Sequence, residues 1–146
     1  MKMVILRGLQ GSGKTTLAAK LATEAKAAGK TAVICTADDF FNVEGRYQFD
    51  ASKLGQAHHE CRRRARAACE ARTDLVAIAN TTLSTQERKP YLEMATEFGY
   101  VAEIAMVGDF SPEFAEVCAA RNLHNVPREK ILKLAERFRG TEGATR

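Results

Sequence analysis

The nine residues GLQGSGKTT, Gly8 to Thr16, constrain this chain more than any other stretch of it. They follow the apolar run MVIL, precede a helical pattern, and fit G-x-x-x-x-G-K-[ST] in full. A strand, a glycine-rich turn and a helix in that order aim backbone N–H groups at one point, where the helix dipole adds its own attraction for anions. Such a cradle fits the phosphates of a nucleoside triphosphate. Gly8, Gln10, Gly11, Ser12, Gly13 and Thr16 are expected to form the ATP-binding loop, with Lys14 reaching the β- and γ-phosphate oxygens and Thr15 offering its hydroxyl to Mg²⁺.

The remaining pattern suits that loop. Residues 2–7, 31–36, 74–79 and 101–107 read as strands, three of them nearly continuous apolar runs of the kind covered on both faces. Helices are expected at about 14–28, 51–72, 84–98, 112–122 and 127–139. Gly29 ends the first of these; Ser84 and Glu87 form a capping box; Ser111-Pro112 and Pro127 mark two further starts. Alternating strands and helices imply right-handed crossovers and a parallel sheet. The expected class is α/β: a P-loop NTPase/kinase fold, with a parallel sheet of four to five strands and helices on both faces. At 146 residues, 1–146 reads as one domain, with a tail, GTEGATR, expected to fray.

Composition narrows the setting. No apolar run approaches the ~20 residues of a bilayer span, and the chain enters a strand too early for a signal peptide, so a cytoplasmic location and no membrane partner are expected. Cys35, Cys61, Cys69 and Cys118 have neither CxxC spacing nor histidine partners, and read as buried reduced thiols. A net charge of +4 gives a weak preference for a polyanion, with arginines grouped at Arg62, Arg63, Arg64 and Arg66 and basic residues at Arg128, Lys130, Lys133, Arg137 and Arg139. No obligate protein partner is evident.

The second strand runs into CTADDFF, which places Asp38 and Asp39 at the carboxyl edge of the sheet, where open α/β folds bind ligands. A carboxylate there can accept the proton of an attacking hydroxyl. Asp38, nearer the strand, is the expected catalytic group; Asp39 is expected to order the loop.

The segments LRGLQGSGKTTLA, TADDFF, GRYQFD, LGQAHHEC, NTTLSTQERKPYLEMA, FGY and ARNLHNVP span most of the chain. Together they resemble the small P-loop kinases of polynucleotide-kinase type, including phage members and the P-loop domains related to cyclic-nucleotide phosphodiesterase. The resemblance implies that Asp38 is general base toward the acceptor; with no aspartate at Ala79, metal positioning is expected to rest on Thr15, the phosphates, water and Asp38. The resemblance also implies that Arg121 is a lid arginine at the start of a lid over about 121–127. From the residues alone, Arg121 is equally a cation at a helix C-terminus. Two departures from the family pattern stand out. Ala79 and Asn80 occupy the place where relatives keep a metal-shell aspartate, so Asn80 is expected to orient a metal-bound water or the substrate. Phe41 stands where the phage kinase has an arginine gripping the acceptor's 3′ phosphate, which suggests base stacking on Phe40, Phe41 or Tyr47 instead.

Further substrate candidates are Asp39, Arg46, Tyr47 and His58. His58 falls with Leu54, Cys61, Ala65 and Cys69 on one apolar stripe, which fits a core histidine better than a catalyst, while the resemblance sets it behind the acceptor pocket. Tyr91 reads as core. The expected activity is transfer of the γ-phosphate of ATP, with Mg²⁺, to a nucleic-acid hydroxyl. That hydroxyl is a 5′-OH end or a hydroxymethyl group on a modified base such as 5-hydroxymethyluracil, with DNA favoured slightly over RNA. A small-molecule kinase and a non-catalytic ATP-binding module are the alternatives.

Overall fold

The computed structural model describes residues 1–9, 11–43, 45–48, 50–80, 85–121 and 127–142, with side chains except those of 43, 47, 85 and 138–142. In chain order the elements are β1 (Lys2–Arg7), α1 (Lys14–Ala27), β2 (Ala32–Cys35), a 3-10 turn (Ala37–Phe41), β3 (Asn42–Val43), β4 (Arg46–Tyr47), a 3-10 turn (Ala51–Lys53), α2 (Leu54–Glu70), β5 (Leu75–Ile78), α3 (Thr85–Phe98), β6 (Val101–Met106), α4 (Pro112–Arg121) and α5 (Arg128–Glu142).

Four strands form one sheet in the order β2-β5-β1-β6, with every pairing parallel. Met3 lies opposite Val76 on one side and Ala102 on the other, and Val33 lies opposite Val76. β1 and β5 are central, which is why Met3–Leu6 and Leu75–Ile78 are runs of consecutive apolar residues. Successive side chains point to opposite faces. Met3, Ile5, Val76 and Ile78 pack with Ala57, Cys61, Ala65 and Cys69 of α2 and Tyr91, Met94 and Ala95 of α3. On the other face Val4, Leu6 and Ala77 meet Ala18, Leu17 and Leu21 of α1. A separate cluster of Leu9, Phe110, Ala115, Cys118, Ile131 and Ala135 joins α4 and α5 to the end of β1. Helices therefore cover both faces, as the sequence pattern requires.

Local signals act as expected at several ends. Gly29 takes a φ of +79°, and the Lys30 N–H closes the helix end on the Ala25 carbonyl at 2.9 Å. The Ser111 hydroxyl accepts from the Phe114 N–H at 3.1 Å, capping α4. All four cysteines are buried and unbridged. Among the described residues no helix is long and apolar enough to cross a membrane.

Three features differ from the sequence reading. The helix expected from residue 51 begins instead with a separate turn, because Asp50 accepts from both the N–H and the hydroxyl of Ser52, at 3.0 and 2.7 Å, and caps it locally. Leu54, expected on the buried stripe, is consequently exposed at the start of α2. Asn42–Val43 and Arg46–Tyr47 pair as a short antiparallel hairpin, outside the four strands expected from the sequence. Ser84, the cap expected for α3, lies outside the described residues.

Candidate active site

β1 delivers the chain directly into the glycine loop. Gly11 and Gly13 take φ values of +81° and +103°, conformations that L side chains rarely adopt. Gly11 is also hemmed in: a Cβ there would lie 2.3 Å from the Cys118 carbonyl oxygen, so α4 rests on the loop itself. Lys14, at the start of α1, is only 8% exposed; its Nζ donates to the Gly8 and Leu9 carbonyls at 2.7 and 2.9 Å. Burial lowers its pKa to about 8, against the opposing pull of the Asp38 charge. The Ser12 hydroxyl is buried, and its oxygen has no hydrogen-bond partner. An orphaned hydroxyl, a buried ammonium and left-handed glycines at a helix start fit a bound phosphate chain. Thr15 and Thr16 are exposed at the first turn of α1, and Gln10 lies outside the described residues.

The facing wall is the turn that follows β2. Thr36 caps it, its Oγ1 accepting from the Asp38 N–H at 3.2 Å. The Asn80 Oδ1, just past β5, accepts from the Ala37 N–H at 2.8 Å. Arg64 of α2 holds the Asp39 carboxylate at 3.0 Å, a contact that ties this turn to α2. Asp38 is half-buried between these anchors, and its charge reaches both Lys14 and His58.

Two expectations are corrected here. Phe41 is no stacking platform: its ring is 3% exposed and packs with Cys35, Ala37 and Ala57, because the turn rolls that side chain under the sheet edge. Phe40 meets it edge-on at 5.4 Å and is partly buried. Asn80 faces inward rather than toward a metal-bound water or substrate. Its Nδ2 donates to the Tyr91 hydroxyl and the Cys61 Sγ, both at 3.4 Å. Burial lifts the Cys35 thiol to about 12, leaving it protonated and inert.

His58 is half-buried on α2, not fully in the core, and burial chiefly lowers its pKa; Glu87 and Asp38 oppose that shift, and Arg62 reinforces it. Arg46 is exposed on β4, and the Tyr47 side chain lies outside what is described. Arg121, the last residue of α4, is exposed with its guanidinium 5.8 Å from the Phe114 ring centre. Residues 122–126 of the expected lid lie outside the described set.

The arginine run on α2 is largely engaged with carboxylates: Arg63 pairs with Glu60, Arg64 with Asp39, and Arg66 with Glu97 at 2.8 Å. Arg128 pairs with Glu116. Three contributors escaped the sequence reading. Arg64 sits three residues after buried Cys61, at the margin of the apolar stripe, a placement that signals a side chain bridging core and rim. Tyr91 carries a polar handle that the reading as core did not use. Arg7 is buried at the end of β1, its guanidinium 5.1 Å from the Phe110 ring centre and 3.5 Å from the Met106 Sδ. No local pattern announces that contact.

The AAA domain family matches residues 3–141 of the chain. Over 136 residues, 93% of its length, the chain is 35% identical to NEDD4-binding protein 2 of Homo sapiens, of which it spans 8%. A chain of the Pnkp1/Rnl/Hen1 RNA repair complex superposes with a TM-score of 0.73 at 21% identity, covering 98% of this chain and 45% of that one. The APS kinase CysC of Mycobacterium tuberculosis, in complex with AMPPNP and APS, superposes with a TM-score of 0.61 at 18% identity, covering 88% and 74%. At such identities these likenesses establish a shared fold.

Proposed function

The chain belongs to the AAA domain family, with a P-loop kinase fold of polynucleotide-kinase-like type, and from that premise we propose that it transfers the γ-phosphate of ATP to the 5′-OH end of a nucleic acid. The observation that carries this reading is the juxtaposition of two differently built walls at one sheet edge. Lys14 stands on one, Asp38 on the other, and the charge of Asp38 is felt at Lys14. A hydrolase needs only a place for water, whereas a carboxylate held on a separate, anchored turn suits a second substrate.

Lys14 and the loop amides bind the β- and γ-phosphates. Asp38 aligns the acceptor hydroxyl and takes its proton as the new O–P bond forms and the bond to the β-phosphate oxygen breaks, releasing ADP. Arg121 swings from Phe114 toward the transferring phosphate and offsets its charge. Thr15 and Asp38 are the residues that would hold Mg²⁺, which when bound neutralises charge on the phosphate oxygens. No group of three or more metal-ligating side chains occurs among the described residues, so the nucleotide completes the metal's shell in this reading.

A second reading, a small-molecule kinase, is favoured by the engagement of Arg63, Arg64 and Arg66 with carboxylates, which takes them from a phosphate backbone. The test is transfer of labelled γ-phosphate to three oligonucleotides: one with a free 5′-OH, one 5′-blocked with an internal hydroxymethylpyrimidine, and one 5′-blocked alone. Label on the first, weakening steeply with salt, is the expected result. Label on the second alone makes the acceptor a modified base. No label on any, with ATP bound, overturns the nucleic-acid reading in favour of metabolite acceptors or a binding module.

A further inference from the structure

Three buried polar side chains from three elements meet behind the Asp38 turn: Asn80 after β5, Tyr91 on α3 and Cys61 on α2. We propose that Asn80 is a positioning residue for Asp38, and that the Tyr91 hydroxyl and the Cys61 thiol fix the amide orientation in which it acts. This inference rests on the reading of Asp38 as the group that serves the acceptor.

The first N–H groups of a helical turn lack partners within the turn. Here two successive ones are satisfied from outside its hydrogen-bond pattern: Asp38 N–H by the Thr36 Oγ1, and Ala37 N–H by the Asn80 Oδ1. Thr36 belongs to the same segment as the turn it caps. Asn80 comes from another segment, just past the central strand β5. The Ala37 bond therefore ties the residue before Asp38 to the sheet, and sets where the Asp38 carboxylate can point.

That bond requires the amide oxygen, not the nitrogen, to face Ala37. The rest of the triangle is compatible with this choice. Asn80 Nδ2 has two acceptors on its other side, the Tyr91 Oη and the Cys61 Sγ, each at 3.4 Å. Tyr91 in turn donates to the Cys61 Sγ at 3.3 Å, which directs its oxygen lone pairs toward Asn80. Flipping the amide would set its NH₂ against the Ala37 N–H and leave buried donors unpaired, at a cost of about 1–3 kcal/mol. Burial pushes the Tyr91 phenol up, so it stays protonated and keeps donating. The position thus calls for a side chain with an acceptor and a donor on opposite sides, which asparagine has and ionised aspartate lacks.

The test combines two readouts on wild type, Asn80→Ala and Tyr91→Phe, with Arg63→Ala as a surface control. Amide hydrogen exchange reports the Ala37 bond without reference to any acceptor. Single-turnover and steady-state transfer to a 5′-OH oligonucleotide report its consequence. Ala37 exchange is expected to accelerate at least about 10-fold in Asn80→Ala and less in Tyr91→Phe, whose ring still fills the core. The kcat is expected to fall about 10- to 100-fold and 3- to 10-fold respectively, with KM for ATP within about twofold. Unchanged Ala37 exchange in Asn80→Ala, or a rise in KM for ATP with kcat intact, overturns the proposal. If Asn80→Ala does not fold, Tyr91→Phe decides by the same two criteria. Should wild type label no hydroxyl at all, the functional reading fails by itself; the exchange result still decides whether Asn80 holds the turn.

Discussion

The loop Gly8 to Gly13 and the turn Ala37–Phe41 leave the carboxyl ends of β1 and β2, two strands separated by β5. The loop's described residues are shaped chiefly by local features, Gly11 and Gly13 at positive φ and Lys14 folded onto carbonyls five and six residues away, with α4 packed on it at Gly11. The turn takes its placement from remote side chains, Asn80 at 43 residues and Arg64 at 25 residues in sequence. A loop shaped mainly by its own glycines tolerates little change within it. A turn anchored from outside can be displaced by substitutions far from the chemistry.

Lys14→Ala is the harshest break on the loop side, and should cut transfer by about 10²–10³-fold while the turn is untouched, as rapid-quench kinetics would show. Wild type should also reveal the buried amine through pH. With its pKa near 8 in the free protein, Lys14 is neutral above that value, whereas bound phosphates stabilise the ammonium. Nucleotide affinity should therefore fall as pH rises through about 8, with proton uptake on binding, measurable by calorimetry in buffers of different ionisation enthalpy. Gly11→Ala should cost about 2–3 kcal/mol of stability by denaturant titration, since the new methyl meets the Cys118 carbonyl in a left-handed conformation. On the turn side, Arg64→Ala removes an ion pair whose side chains are 35% and 43% exposed, and should cost no more than about 1 kcal/mol in the same titration. If Arg64→Ala proved more damaging than Gly11→Ala, the contrast between the two regions would be wrong.

The same contrast explains what could be read from the chain. The loop, its flanking strand and helix, and the two-sided covering of β1 and β5 were legible because each is set by local pattern: glycine spacing, apolar runs, caps. The position of Asp38 was legible from its place after a strand. The stacking expected of Phe41 came from its place where the family keeps an arginine; the 3-10 turn instead carries the second phenylalanine under the sheet edge. Asn80, Tyr91 and Arg64 act through partners on other elements, and nothing local distinguishes a core tyrosine whose hydroxyl meets an amide from one that does not. Leu54 was misplaced because Asp50 starts a separate turn just before it.

The most direct measurement is transfer by Asp38→Asn beside wild type, with ATP dissociation constants measured for both. Unchanged ATP binding, with the transfer rate down at least about 100-fold, is the predicted result, since the loop is intact and only the acceptor's base is lost. Transfer at the wild-type rate would contradict the account, because the Asp38 turn would then have no part in directing the phosphate.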